Sequence, residues 1–122
     1  MAKAERALAS AWLLFDAGDF DGSCNRAYYA VFDAAKAALA AKQAPPEAIE
    51  ARTHAGLISA FSLHIVKTGF VAVDHGRAFN RLHELRTIAD YRDEGLGDAA
   101  IRQALAEADA FLAAVAKLLP EP

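Results

Sequence analysis

At 122 residues the chain is long enough for one domain and too short for two independent cores. Hydrophobic residues make up 55% of it, which excludes wholesale disorder; much of that content is alanine, which favours helix but adds little burial energy per residue. A net charge of −3 argues against a nucleic-acid binder that relies on a broadly basic surface, so any contact with RNA needs a local basic cleft.

Glycine and proline punctuate the chain into helical stretches. The first is expected from about Lys3 to Asp16, with Leu8, Trp12 and Phe15 on one side, and Ala17-Gly18-Asp19 breaks it. A second starts near Asp21 or Ser23, either of which could cap it, and continues to about Lys42. Its inward face reads Cys24, Ala27, Tyr28, Val31, Ala35, Ala38 and Leu39, and its outward stripe reads Arg26, Tyr29, Asp33 and Lys36. Cys24, the only cysteine, excludes an internal disulfide, fits a reducing compartment and reads as a small core residue. Tyr28 and Tyr29 fall on opposite sides of this helix, one toward the core and the other toward solvent or a partner.

Gln43-Ala44-Pro45-Pro46 reads as a loop because Pro46 biases Pro45 away from helix, and a short turn over Glu47 to Ala51 follows. The third helix is expected from Thr53 or His54 to Gly69, with Leu57, Ile58, Phe61 and Ile65 inward. Asp74 is placed as the N-cap of a fourth helix reaching about Tyr91. A turn over Asp93-Glu94-Gly95-Leu96-Gly97 then leads to Asp98, which caps a fifth helix ending at Leu119. No convincing strand or repeat is present. The chain reads as all-α, one antiparallel bundle of about five helices over residues 1–122. No apolar run approaches the roughly 18 residues of a membrane span and no signal peptide is evident, so a cytoplasmic protein without membrane contact is expected.

The fourth helix carries the most chemistry. Ala78, Leu82, Leu85 and Ala89 form its apolar arc, and beside that arc Phe79, His83, Arg86 and Asp90 form a stripe. A guanidinium and an imidazole on one wall suit phosphate binding and proton transfer. The pattern alone favours the plainer reading, a surface ion pair between Arg86 and Asp90 with His83 as an ordinary surface residue. His54 opens a helix, where it can pack or line a cleft, while His64 and His75 are isolated. No metal-ligand spacing, nucleophile elbow or glycine-rich phosphate loop occurs, so no metal or cofactor is expected.

The run Arg26-Ala27-Tyr28-Tyr29-Ala30-Val31-Phe32, then Thr53-His54 with Phe61 downstream, then Arg86-Thr87-Ile88-Ala89-Asp90-Tyr91, resembles the small prokaryotic HEPN family from about Asp19 to Val115. The resemblance implies a homodimeric bundle of about five helices, often encoded beside a minimal nucleotidyltransferase as a toxin–antitoxin pair. Active members of the family are metal-independent endoribonucleases whose motif is an Arg followed after four to six residues by His. Arg86 stands at the family's Arg position, but Asp90-Tyr91 follows it with no His. An ionised Asp would repel the scissile phosphate. Arg77 and His83 satisfy the spacing literally, upstream and about 120° apart on the helix.

The expected catalytic positions are therefore Arg86, at the family's Arg position and holding phosphate, Asp90 after it, and His83 or His54 as the general base or acid in place of the missing His. Arg26, Tyr29 and Tyr91 are the expected nucleotide or RNA contacts. Tyr91 aligns with a tyrosine that a partner nucleotidyltransferase adenylylates in some toxins. RNA is the expected target and DNA is not. The missing His keeps a second reading open, that of a non-catalytic module binding a nucleotide or a partner protein.

Overall fold

The computed structural model describes residues 1–91 and 95–120. Six helices follow in chain order: α1 Ala2–Asp16, α2 Phe20–Ala41, α3 Pro46–Ile49, α4 His54–Phe61, α5 Val73–Tyr91 and α6 Asp98–Ala116. α4 continues directly into one π-helical turn over Ser62–Val66. The expected all-α bundle is what forms, with the short turn after the prolines present as the four-residue α3. Part of the expected turn, Asp93 and Glu94, lies outside the described residues.

α2 is the centre of the bundle and touches every other helix. Its composition permits this. Ala27, Ala30, Ala34, Ala35 and Ala38 are fully buried, and their small side chains let α1, α5 and α6 approach the α2 backbone from different sides. The larger groups gather where α2, α4, α5 and α6 meet. Phe61, Phe79 and Phe111 stack there with centroids 5.0–5.9 Å apart, and Tyr28 joins through Phe79 at 6.1 Å.

Several helix ends differ from the expected ones for identifiable reasons. Asp19 caps α2, its carboxylate accepting the Gly22 amide at 2.9 Å. Gly22 leaves room for that carboxylate, since a Cβ there would lie 2.3 Å from it. Asp21 and Ser23, the expected caps, have other partners. Asp21 accepts the Leu96 amide at 3.1 Å, tying the approach to α6 onto the start of α2. Ser23 is fully buried and donates to the Ala11 carbonyl at 2.7 Å, pinning α1 to α2. α5 begins at Val73, one residue before the expected Asp74. α6 has Gly97 at its cap position, with Asp98 inside the first turn bound to Arg102, and it stops at Ala116 rather than Leu119. Across α5 and α6, Arg81 pairs with Glu107.

No helix among the described residues is long and apolar enough to cross a membrane. Removing the α2 cap with Asp19→Ala should destabilise the fold by about 1 kcal/mol. Urea unfolding followed by circular dichroism reads this as a lower midpoint at unchanged slope.

Candidate functional site

Three helices deliver one cluster. α2 supplies Tyr28 and Tyr29, α4 supplies His54, and α5 supplies His83 and Arg86. His54 is the first residue of α4, fixed there by Thr53, whose hydroxyl accepts the Gly56 amide at 2.9 Å. A Cβ at Gly56 would come within 2.7 Å of that hydroxyl oxygen, so the glycine keeps the cap intact and the imidazole in place. On α5, Phe79 is fully buried, which rolls the helix so that His83 and Arg86, one and two turns further along, are drawn to half-burial.

The resulting contacts are specific. Tyr28 Oη lies 2.7 Å from His54 Nδ1, and Arg86 Nη1 lies 3.3 Å from His54 Nε2. The Arg86 guanidinium carbon also sits 5.2 Å from the ring centres of both Tyr28 and Tyr29, within cation–π range. His83 stacks at 5.7 Å from both His54 and Tyr28, and Phe32 closes on His54 edge-on at 5.7 Å.

Arginine can only donate, so the contact with Arg86 requires His54 Nε2 to accept. The ring proton then belongs on Nδ1, which donates to Tyr28 Oη. His54 is thus neutral, with its Nε2 lone pair turned toward Arg86. Burial holds its pKa below the ordinary 6.5, and the charge of Arg86 and the neighbouring His83 push the same way. Its seat at a helix N-terminus also disfavours a positive charge. Tyr28 stays a neutral phenol, burial pushing it up to about 12 against the opposing pull of Arg86. Cys24, close behind on α2, is likewise pushed up to about 12 by burial, with Asp21 and Asp90 adding to the effect, so the thiol is inert core.

The cluster is rich in donors and short of acceptors. Arg86 Nε and His83 Nδ1 are buried and have no hydrogen-bond partner among the described residues. Arg86 faces two aromatic rings and one imidazole, and among the described residues it forms no ion pair with a carboxylate. The expected surface ion pair with Asp90 is not made. Such a guanidinium suits a ligand that brings oxygen acceptors of its own, as a phosphate does.

The structure brings together four of the seven expected site residues: His54, His83, Arg86 and Tyr29. Arg26 is exposed, one turn before Tyr29 along α2. Asp90 is exposed and bonded to none of the cluster among the described residues, and Tyr91, the last residue of α5, is 86% exposed. Arg77, the alternative arginine, lies on the outer surface beside Asp74. Tyr28 is the residue that sequence reasoning left in the core. The available signal was its hydroxyl, since a buried phenol needs a polar partner and the surrounding alanines of α2 offer none. No group of acidic, His or Cys side chains among the described residues is arranged to hold a metal ion.

The depressed His54 pKa has a measurable sign. In an NMR titration its imidazole should have a midpoint below 6.5, and Arg86→Gln should move it upward. Because the unfolded chain takes up this proton first, the contribution of His54 to stability is present above pH 6.5 and lost as pH falls through the folded midpoint.

The family model of the HEPN domain matches residues 1–118. A Methanocaldococcus jannaschii protein, "Putative toxin MJ0605", is 33% identical over 118 residues, covering 97% of this chain and 84% of its own length. A "UPF0332 protein" of Thermotoga maritima is 31% identical over 120 residues, covering 98% of this chain and 87% of its own.

Proposed function

The chain belongs to the HEPN domain family, among relatives that include two named "Putative toxin", and from that premise we propose that it is a metal-independent endoribonuclease acting as a toxin. The observation that carries this reading is the half-buried Arg86, free of any carboxylate among the described residues and in contact with a neutral imidazole. Here the histidine missing after Arg86 is replaced in space by His54, from a different helix.

The chemistry follows from the donor inventory. A scissile phosphate placed at Arg86 takes the guanidinium N–H groups as its partners, which stabilises the charge developing on its oxygens. As Arg86 turns to the phosphate it releases His54 Nε2, whose lone pair then accepts the proton of the adjacent 2′-hydroxyl. The 2′-oxygen forms its bond to phosphorus while the bond from phosphorus to the 5′-oxygen breaks. His83, as general acid, gives a proton to the departing 5′-oxygen, leaving a 2′,3′-cyclic phosphate and a 5′-hydroxyl. Tyr28 does not touch the reacting atoms in this scheme. It is a positioning residue, accepting from His54 Nδ1 and so keeping the base on Nε2.

Asp90, exposed and unconnected to the cluster, has no part in this proton path. Arg26 and Tyr29 are proposed as contacts to flanking nucleotides. Tyr91 stands open to a partner, which we take to be a minimal nucleotidyltransferase antitoxin, with the toxin itself a cytoplasmic homodimer that brings two Arg86 clusters into one cleft.

RNA cleavage by the purified chain tests the reading. Arg86→Ala and His54→Ala should each lower the rate by about 100-fold or more, and Tyr28→Phe should lower it by about tenfold at nearly unchanged KM while shifting the acidic limb of the pH profile. Co-expression with the nucleotidyltransferase should relieve growth arrest. Undiminished cleavage by Arg86→Ala would sink the proposal. The absent His after Arg86 favours one other reading, a nucleotide-binding module without turnover, which predicts phosphate binding at Arg86 with no cleavage by the wild-type chain.

A further inference from the structure

Away from the Arg86 cluster, an open groove of about 420 Å³ runs between α1 and α6. Leu8 and Leu112, both nearly fully buried, form its floor. Ala9 and Ala113 flank it, exposed and too small to fill it. Trp12 stands toward one end, half-buried, with its ring edge-on to Phe15 at 5.8 Å and its Nε1 donating to the Asp109 carboxylate at 3.4 Å. That ring is therefore held in place. Among the described residues the charged side chains lining the groove are both acidic, Glu5 and Asp109, and neither forms an ion pair. They stand toward opposite ends, because Asp109 is bonded to Trp12, which lies two helical turns and about 10 Å along α1 from Glu5.

We propose that this groove docks a basic amphipathic helix of another protein, with two Lys or Arg side chains about seven positions apart set over Glu5 and Asp109. Apolar side chains at the intervening i+3 and i+4 positions lie on the same face of such a helix and seat against Leu8, Trp12 and Leu112. A rigid tryptophan on an apolar floor is the kind of anchor that carries binding energy, while the two carboxylates set register and partner choice. Charge decides among the occupants. A second copy meeting through this face would bring carboxylates against carboxylates, since a two-fold contact repeats the same lining on both sides. Nucleic acid and anionic lipid are repelled by the same two groups. The groove is built from α1 and α6, whereas the Arg86 cluster is built from α2, α4 and α5. The docking site therefore stands whether or not the chain cleaves RNA.

Trp12 is the chain's only tryptophan, so its fluorescence reports on the groove directly. The probe is a helical peptide without aromatic residues, carrying Leu at the inner positions and Lys at i and i+7. The control carries Glu at those two positions. Titrated into the intact chain, the Lys peptide should move Trp12 emission to the blue and saturate, and the Glu peptide should leave it unmoved. Glu5→Lys, at an exposed position, should weaken the Lys peptide about fivefold. Ala113→Leu, also exposed, fills the groove without changing its charge and should weaken the peptide at least about tenfold. Undiminished binding by Ala113→Leu marks attraction by charge alone and overturns the proposal. An equal response to the Glu peptide, no response to either peptide, or a blue shift on adding phosphatidylserine vesicles overturns it as well. So does sedimentation of the wild-type chain as a dimer that Ala113→Leu dissociates, because a second copy then fills the groove.

Discussion

Everything in this bundle is referenced to α2. It is the one helix in contact with all the others, and that position is possible because five of its buried residues are alanines whose side chains take almost no room. Close approach has a cost in specificity, since methyl groups interlock poorly and lock few rotamers. The structure compensates with discrete polar ties at the same helix. Ser23 fixes α1, Asp21 fixes the approach to α6, and Tyr28 fixes α4 through His54. The last of these ties is also the foundation of the candidate site, so packing and chemistry meet in one hydroxyl group.

The electrostatic character of the site follows from what surrounds Arg86. A guanidinium facing aromatic rings keeps its charge and spends few of its N–H groups, whereas a carboxylate would engage two at once. The neighbouring imidazole is biased toward its neutral form, first by burial and then because a second cation 3.3 Å away is unfavourable in a partly desolvated setting. An always-charged donor beside an imidazole held toward its neutral form is an arrangement suited to an anion such as phosphate.

Much of this was legible in the sequence. The helix count, the proline-bounded loop and the inward face of α2 followed from periodicity and punctuation, because they depend on local rules. Arg86, His83 and His54 were identifiable as residue types suited to phosphate chemistry, and the family resemblance ran through Arg86 and His54. What pattern could not supply was the roll of α5. The expected arc through Ala78, Leu82 and Leu85 leaves Arg86 at its edge, and only the full burial of Phe79 between Tyr28, Phe61 and Phe111 turns the guanidinium inward and away from Asp90. Tyr28 was hidden for the opposite reason. Its position on the inward face was right, but a core assignment says nothing of where a phenol oxygen points. The caps at Asp19 and Gly97 were misplaced because several acidic residues competed for each helix start and tertiary partners such as Leu96 decided among them.

The division of the Arg and the imidazole between α5 and α4 also fixes when in folding the site comes into being. A motif carried on a single helix exists as soon as that helix winds, on the timescale of local structure. Here the contacts that define the site join residues 26 and 32 positions apart, Tyr28 to His54 and His54 to Arg86. They form only after α2, α4 and α5 have docked, which is a slower, loop-closing event. An incompletely folded chain therefore holds its arginine and its histidine as separate, ordinary side chains. The cluster is a property of the finished tertiary structure alone.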